Sequence, residues 1–249
     1  MSTERTILRH PPNKSTTTPP RPESVRPGPT LLVTAGPTLE PIDAVRFIGN
    51  RSSGRLGVAL ADEAARRGWK VTLLLGPVCV RAGEPGVRVR SFRTCADLQG
   101  LLAEEAPGAD VLIMAAAVAD FRPRPHPAMS GGKFRRQGEG IVLELEATPD
   151  LLAGVAAARR PGQVLVGFAL EPRADMLISG RAKLERKGVD LVVANPLETM
   201  DSEGIEGVAL GPDGFEARPP EPGAIAKASF AGWLLDVVSE RMSRGAGNE

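Results

Sequence analysis

The segment Gly36–Gly57 gathers residue types that bind anions directly behind an apolar run, LLVTA, which predicts a β-strand. Ser52, Ser53 and Gly54 stand where the next helix is predicted to begin, and the first turn of a helix offers unpaired backbone N–H groups to an anion. Ligands of parallel sheets bind beyond the carboxyl ends of the strands. We therefore predict an anion site here, beginning at the Gly36 turn. The alternative is structural: Ser52 caps the helix and the glycines pack it against the sheet.

The same segment matches neither of two widespread phosphate-binding signatures. Gly49 and Gly54 have the spacing of a P-loop, but Arg55 and Leu56 stand where a P-loop has Lys and Ser or Thr. No GxGxxG motif follows the first strand, and the chain contains no Tyr that could act as the general acid of a short-chain reductase. A nicotinamide-dependent oxidoreductase is therefore disfavoured.

Two polar side chains that precede the predicted helix could contact a reacting group. The amide of Asn50 can both donate and accept hydrogen bonds, and the guanidinium of Arg46 can hold a carboxylate or an acyl oxygen. The alternatives are a turn-forming asparagine and a solvated arginine.

A second candidate group follows the apolar run VLIM, where three alanines lead to an aspartate in AAAVADFRP. Small side chains at Ala115–Ala117 leave room for a flat ring that hydrogen-bonds the backbone, and Asp120 could hold a metal ion, an amine or a hydroxyl. The alternative is that the alanines allow close helix packing and that Asp120 caps a turn.

A third group consists of cations with few acidic neighbours. The run KFRR, Lys133–Arg136, could clamp a triphosphate and stabilise the charge on a leaving pyrophosphate. Lys183 and Lys187 share one helical face and could contact one polyanion, although exposed charged surfaces have the same pattern. Phe168 ends a predicted strand and could wall a base site, or it could simply belong to the core.

The elements that must position these residues alternate between apolar strands and amphipathic helices, which predicts an α/β fold with a mostly parallel sheet and helices on both faces. Strands are predicted at Leu31–Ala35, Val71–Leu75, Val87–Phe92, Val111–Ala117, Val164–Phe168, Leu191–Ala194 and Gly207–Leu210. Helices are predicted at Ser53–Arg67, Ala96–Glu105, Pro149–Ala158, Arg173–Lys187 and Ala224–Met242. The segment Phe121–Gly140 has neither period and is predicted to be a long cationic loop, a lid or clamp over a ligand.

Composition narrows the function classes. A formal net charge of +1 over 249 residues gives no overall field that would recruit nucleic acid or an anionic membrane. Two cysteines and two histidines make a transition-metal site improbable and leave oxygen ligands and Mg²⁺. The cysteine count and the lack of a signal sequence or apolar span predict a cytoplasmic protein. Residues 1–29 are predicted to be a disordered extension and residues 243–249 a disordered tail.

Six motifs taken in order resemble phosphopantothenoylcysteine synthetases, also called phosphopantothenate-cysteine ligases. These motifs are TAGPTLEPIDAVRFIGNRSSGRLG, AAAVADFRP, KFRR, TPDLL, VGFALE and KLERKGVDLVVAN. The resemblance implies a Rossmann-like homodimer in coenzyme A biosynthesis, with residues 30–242 as the ligase domain. It also implies that 4'-phosphopantothenate is activated by CTP, rather than ATP, as an acyl-cytidylate that L-cysteine attacks, so that phosphopantothenoylcysteine, CMP and pyrophosphate are formed with Mg²⁺. In many bacteria a flavin-dependent decarboxylase is fused to this domain, so a separate decarboxylase chain is a further expected partner.

The resemblance also implies roles for individual residues. Asn50 would hold the acyl-nucleotide carbonyl, Arg46 would assist the cysteine-dependent half-reaction, and Lys133 would close over the phosphates from the central loop. The remaining residues implied to bind the nucleotide are Gly36, Ser52, Ser53, Gly54, Met114, Ala115, Ala116, Asp120, Pro149, Asp150, Leu151, Leu152, Phe168, Lys183 and Lys187. No metal ligand is assigned, although Asp120 is a candidate. A catalytically inactive nucleotide-binding module remains the alternative function.

Overall fold

The computed structural model describes residues 28–125, 132 and 142–245 of the chain. Most of the predicted N-terminal extension, most of the central loop and the end of the predicted tail therefore lie outside the described residues. The strands are β1 Thr30–Ala35, β2 Leu39–Pro41, β3 Phe47–Gly49, β4 Lys70–Leu75, β5 Val87–Ser91, β6 Val111–Met114, β7 Phe121–Pro123, β8 Leu145–Ala147, β9 Val164–Glu171, β10 Leu191–Pro196, β11 Gly204–Ile205, β12 Val208–Leu210, β13 Glu216–Ala217 and β14 Ile225–Ala226. The α-helices are α1 Arg55–Arg66, α2 Cys95–Glu105, α3 Leu151–Ala158, α4 Met176–Lys187 and α5 Lys227–Gly245.

Eight strands form the main sheet in the order β13-β12-β10-β9-β6-β1-β4-β5. Six neighbouring strands of this sheet are parallel, namely β10, β9, β6, β1, β4 and β5. The strands β12 and β13 extend the sheet in antiparallel pairing. In chain order the six parallel strands follow the Rossmann sequence 3-2-1-4-5-6, which changes direction between β1 and β6. The predicted α/β class with a mostly parallel sheet is confirmed, and the change of direction marks where such sheets bind ligands.

Helices cover both faces because successive strand residues point to opposite sides. Leu31 and Val33 of β1 face α1 and α5, where Leu60 and Phe230 pack in the same cluster. Leu32, between them in sequence, belongs to the opposite cluster with residues of α2, α3 and α4. The unbroken apolar strands therefore reflect burial on two sides, as predicted.

Two helix starts differ from prediction for conformational reasons. The helix predicted from Ser53 begins at Arg55, because Gly54 precedes it with φ of 71°, a left-handed conformation that cannot continue a helix. The helix predicted from Pro149 begins at Leu151, because Asp150 is extended and caps it. The predicted helices at Arg173 and Ala224 likewise begin later, at Met176 and Lys227.

Short antiparallel pairs were missed by the sequence analysis. The hairpin β2–β3 connects β1 to α1, and β7 pairs with β8 across the central loop. The prediction of a loop from Phe121 was therefore wrong for Phe121–Pro123. Strands of three residues are too short to show a period of two, so only pairing with a distant partner identifies them.

Candidate active site

A cavity of about 840 Å³ opens at the carboxyl edge of the main sheet, where β1 lies beside β6. Fifteen of the residues expected to bind substrate line it: Asn50, Ser52, Ser53, Gly54, Met114, Ala115, Ala116, Asp120, Pro149, Asp150, Leu151, Leu152, Phe168, Lys183 and Lys187. Segments from five regions of the chain therefore share one concave surface. The fold brings these distant segments together. Met114 ends the parallel strand β6 and Phe168 lies in β9, whereas Lys183 and Lys187 reach the cavity from α4.

The start of α1 forms one wall of the cavity. Gly54 is the N-cap residue, and no side chain in the described structure caps this end of the helix, so Ser52 does not have the capping role considered above. The first backbone N–H groups of α1 are thus available to an anion. Gly57 has a packing function, because a Cβ there would lie 2.4 Å from the Cβ of Ala35.

The backbone N–H groups of the alanine run after β6 are all engaged, and so is the Ala117 carbonyl, which accepts from Thr38 N–H at 3.2 Å. The carbonyls of Ala115 and Ala116 have no partner among the described residues. Ala115 N–H donates to the Thr34 carbonyl at 3.1 Å, Ala116 N–H to Thr34 Oγ1 at 3.1 Å, and Ala117 N–H to the Gly36 carbonyl at 2.9 Å. These three donors are therefore engaged with the end of β1. A ring lying on the alanines would find hydrogen-bond acceptors there, which suits an exocyclic amino group.

Asn50 links the segment that precedes α1 to the segment that follows β6. Its Nδ2 donates to the Val118 carbonyl at 2.9 Å. The next residue, Ala119, is held at both backbone groups: its N–H donates to Thr38 Oγ1 at 2.9 Å, and its carbonyl accepts from Thr148 Oγ1 at 2.6 Å. These contacts fix the backbone immediately before Asp120, which lies exposed in the cavity.

The start of α3 already carries its own anion. Asp150 Oδ1 accepts from Ala153 N–H at 3.1 Å and so caps the helix. The same carboxylate forms an ion pair with Lys187. Phosphate binding at this position must therefore compete with Asp150 for both the helix start and the lysine.

Lys183 is the most enclosed ammonium group of the cavity. Its Nζ donates to the Phe168 carbonyl. Burial lowers the pKa of Lys183, and Arg186 lowers it further, while Glu171 and Asp120 act in the opposite direction. Burial also lowers the pKa of Lys187, against the effect of Asp120. Both lysines would bind their protons more tightly once an anionic ligand entered the cavity.

Two of the expected residues do not line the cavity, and a third lies outside the described residues. Gly36 does not line the cavity, but its carbonyl accepts from the N–H of Ala117, which does. Arg46 lies in the turn between β2 and β3, and its Nε donates to Asp43 Oδ2 at 2.9 Å. Lys133 lies outside the described residues.

Sequence reasoning missed several polar residues that line the cavity. They are Arg51, Arg55, Thr148, Glu171, Asn195, Thr199, Asp201 and Lys227. Arg51 and Arg55 flank the serines and could have been inferred from their position. Lys227 and Asp201 come from the far end of the chain, where no local motif marks them.

The donor set suits a hard cation held mainly by its ligand. Among the described residues, no group of three or more His, Cys, Asp or Glu side chains could hold a metal ion. Asp120, Asp150 and Asp201 all offer exposed carboxylates in the cavity, but Asp150 is paired with Lys187 and Asp201 with Arg51. Asp120 forms no such ion pair within the described residues. Mg²⁺ retains waters and phosphate oxygens in such sites, so one carboxylate is compatible with it.

Fold and cavity together define a Rossmann-type α/β protein with an anion-adapted site where the strand order changes direction. The chain belongs to the family of the DNA/pantothenate metabolism flavoprotein C-terminal domain, which it matches over residues 27–240. Among its relatives is the coenzyme A biosynthesis bifunctional protein CoaBC of Mycobacterium bovis, 45% identical over 223 residues. That match covers 85% of this chain and 52% of the relative, so the chain spans about half the length of the curated protein it matches.

Two solved structures are also similar. The C-terminal domain of a CoaBC protein superposes with a TM-score of 0.71 at 28% identity, covering 87% of this chain and 97% of that one. A mutant of Cab2 in complex with phosphopantothenate-cysteine has a TM-score of 0.72 at 19% identity, covering 90% of this chain and 89% of that one. The second likeness establishes the fold alone.

Proposed function

We propose that this chain is a phosphopantothenate-cysteine ligase of coenzyme A biosynthesis. It joins 4'-phosphopantothenate and L-cysteine through an acyl-cytidylate and releases phosphopantothenoylcysteine, CMP and pyrophosphate. The proposal depends chiefly on one observation: the uncapped start of α1, Asn50, Asp120 and the lysines of α4 line one cavity. The similarity to CoaBC proteins and to a domain of known structure supports it.

The chemistry needs positioning and charge stabilisation rather than a protein nucleophile. A carboxylate oxygen of 4'-phosphopantothenate attacks the α-phosphorus of CTP, and the bond to pyrophosphate breaks. The amine of cysteine then attacks the acyl carbon, the bond to CMP breaks, and the amine loses a proton. The start of α1 with Lys183 and Lys187 would stabilise the phosphates, and Lys133 would close over them.

We assign Asn50 to the acyl carbonyl. One N–H of its Nδ2 is engaged with Val118, which fixes the amide plane and leaves the second N–H for an acyl oxygen. Mg²⁺ would neutralise phosphate charge with Asp120 as its protein ligand. The free carbonyls at Ala115 and Ala116 favour a base with an exocyclic amino group, a property that cytosine shares with adenine, and the family resemblance favours CTP.

We further propose a cytoplasmic homodimer, with a separate flavin-dependent decarboxylase as its functional partner. In the described part of the chain, no helix is long and apolar enough to cross a membrane. The hairpin β2–β3 and the pair β7–β8 expose Phe47 and Phe121, which a second copy would cover. Arg46 lies in this hairpin, so its proposed role in the cysteine-dependent step would be exercised at or near the dimer interface.

Product analysis tests the function directly. Purified protein is incubated with 4'-phosphopantothenate, L-cysteine and Mg²⁺, with CTP or ATP in parallel, and CMP, AMP and the amide product are quantified. We expect cysteine-dependent CMP and phosphopantothenoylcysteine in equal amounts. Because removing a positioned donor to a developing oxyanion costs about 10²–10³ in rate, Asn50→Ala should slow amide formation by that order or accumulate the acyl-cytidylate.

The alternative function, an inactive nucleotide-binding module, predicts a different result. In that case CTP binds with measurable heat, yet neither CMP nor pyrophosphate appears with all substrates present. A protein that neither binds nor consumes a nucleotide would contradict both functions.

A further inference from the structure

A short segment, Thr199–Gly204, lies along the rim of the cavity opposite the start of α1, and we call it the rim loop. Arg51 Nη2 and Asp201 Oδ2 of the rim loop lie 2.5 Å apart. Arg55, the first residue of α1, pairs with Glu203. Lys227 donates through Nζ to the Ser202 carbonyl. Three cationic side chains thus contact the rim loop. Arg51 and Arg55 are about 150 residues distant from it in sequence.

The three cations belong to the cavity itself, since Arg51, Arg55 and Lys227 all line it. The cavity wall carries five cationic side chains, and four acidic ones nearly balance them: Asp120, Asp150, Glu171 and Asp201. Burial and the nearby Arg55 lower the pKa of Lys227, while Glu203 and Asp201 raise it. The rim-loop carboxylates therefore supply negative charge where the cations are crowded.

The ion pairs between the rim loop and the two arginines are exposed, and such pairs are easily replaced by other ligands. The side chains of Arg51 and Asp201 are 72% and 39% exposed, and those of Arg55 and Glu203 are 47% and 90% exposed. Exposed ion pairs contribute little, because water screens them. Asp201 also has φ of 58°, a left-handed conformation that few residues other than glycine adopt readily. A phosphate offers more charge and more acceptor oxygens to the same arginines than a carboxylate does.

We propose that the rim loop is an internal competitor for the nucleotide. Asp201 and Glu203 occupy Arg51 and Arg55 in the ligand-free protein and give them up to the phosphates of the incoming nucleotide. Arg51, Arg55 and Lys227 are then phosphate-binding residues, and the two carboxylates set the affinity. This inference rests on the proposed function, because it requires a polyphosphate in the cavity.

Binding measurements on the full chain test the exchange. Titration calorimetry with CTP and Mg²⁺, and separately with pyrophosphate, compares wild type with Asp201→Asn, Glu203→Gln and the double variant. Asparagine tolerates the backbone conformation of Asp201, so the fold of the loop is retained. The matched control is Glu198→Gln, which removes the same charge nearby from a side chain that does not line the cavity.

We expect each rim-loop variant to bind CTP about threefold more tightly and the double variant about tenfold, as for the loss of exposed ion pairs. Glu198→Gln should bind like wild type, and Arg51→Gln and Arg55→Gln should bind more weakly. Equal affinities for wild type and the double variant would refute the exchange while leaving the proposed function intact. Weaker binding by the double variant would also refute it, since the carboxylates would then assist the ligand. If wild type binds neither CTP nor pyrophosphate, the proposed function fails together with the exchange.

Discussion

The ammonium group of Lys183 is largely buried, and nearby protein groups offset only part of the cost of burying its charge. Its hydrogen-bond partner is the neutral carbonyl of Phe168, and burial outweighs the attraction of Glu171 and Asp120, so its pKa lies below the ordinary lysine value of 10.5. Between that lowered pKa and 10.5, the unfolded chain binds more protons at this position than the folded protein does. The free energy of unfolding contributed by Lys183 therefore rises with pH through this window.

Lys183→Met should remove this pH dependence, because methionine fills similar space without a charge. We expect the stability gained by the variant over wild type to be largest below the lowered pKa and to shrink as pH approaches 10.5. Chemical denaturation at a series of pH values measures this difference. Lys70→Met, at an exposed position of β4, is the control for the loss of one lysine charge. Parallel profiles for Lys183→Met and wild type would contradict the argument.

The contact between α1 and β1 depends on the absence of a side chain at Gly57. An added Cβ would lie 2.4 Å from the Cβ of Ala35, and neither partner can turn away, since one is backbone-fixed in a helix and the other in a strand. We expect Gly57→Ala to lower the free energy of unfolding by about 1–3 kcal/mol, as for other overpacked cores. Urea denaturation monitored by circular dichroism gives the value.

Gly100 provides a control of opposite sign. It lies exposed in the middle of α2, and a Cβ there would meet nothing within 4 Å. Gly100→Ala should therefore raise the free energy of unfolding by about 0.5–1 kcal/mol through helix propensity. Similar effects of both substitutions would show that the helix–strand contact is not tight.

Thr148, which lies between β8 and α3, holds in place the segment that connects β6 to β7. Its Oγ1 donates to the Ala119 carbonyl at 2.6 Å, and its N–H donates to the Asp120 carbonyl at 2.9 Å. Thr148→Val keeps the shape and the backbone bond but leaves the buried acceptor unsatisfied, a change that costs about 1–3 kcal/mol. We expect the free energy of unfolding to fall by that order. The KM for nucleotide should rise about tenfold, because a loss of about 1.4 kcal/mol in positioning energy corresponds to that factor.

Thr148→Ser separates this positioning role from general destabilisation. Serine restores the hydroxyl, so the KM should return close to the wild-type value even if the lost methyl group reduces stability. Steady-state kinetics for both variants at a temperature well below their unfolding transitions make the comparison. An elevated KM in Thr148→Ser would contradict the role of the hydrogen bond.

The main strands and helices were predictable because a sheet buried on both faces requires continuous apolar strands, and these are visible in the sequence. Continuous apolar runs such as Leu31–Ala35 can be assigned without knowledge of their neighbours. The pair β7–β8 could not be assigned, since Phe121–Pro123 becomes a strand only by pairing with Leu145–Ala147. The start of α1 was predicted at the wrong residue because serine is a common residue at helix starts. The left-handed backbone of Gly54 instead sets the boundary, so the helix begins at Arg55.

The cavity was predictable for a more general reason: the strand-end rule gathers every carboxyl terminus of a parallel sheet at one edge. It correctly brought Ser53 and Asp120 to one surface. The rule is silent on Asp201 and Lys227, which reach the rim through the small antiparallel pair β11–β14 at the far end of the domain. It also does not explain Arg46, which is absent from the lining of the cavity of its own chain.

The dimer that we propose would form through exposed apolar residues of the hairpin β2–β3 and the pair β7–β8. β2 and β7 pack together, and Val45, Phe47, Phe121 and Leu145 are all exposed on these hairpins. Contiguous apolar surface of this kind marks interaction sites. In a twofold dimer the same patch meets its own copy, so one substitution alters the interface twice. We therefore expect a mass twice the chain value of 26.2 kDa by light scattering after size exclusion.

Phe121→Asp should convert the dimer to a monomer, because two carboxylates would face each other across an apolar contact. Ile178→Asp is the matched control, since it introduces the same group at an exposed apolar position of α4, away from the hairpins. If the variant keeps the dimer mass, or if both substitutions dissociate it equally, the hairpins are not the interface. Because Asn50 follows β3 directly, loss of the dimer at this surface should also lower the rate of amide formation, even though the α4 lysines that we propose bind the nucleotide are untouched.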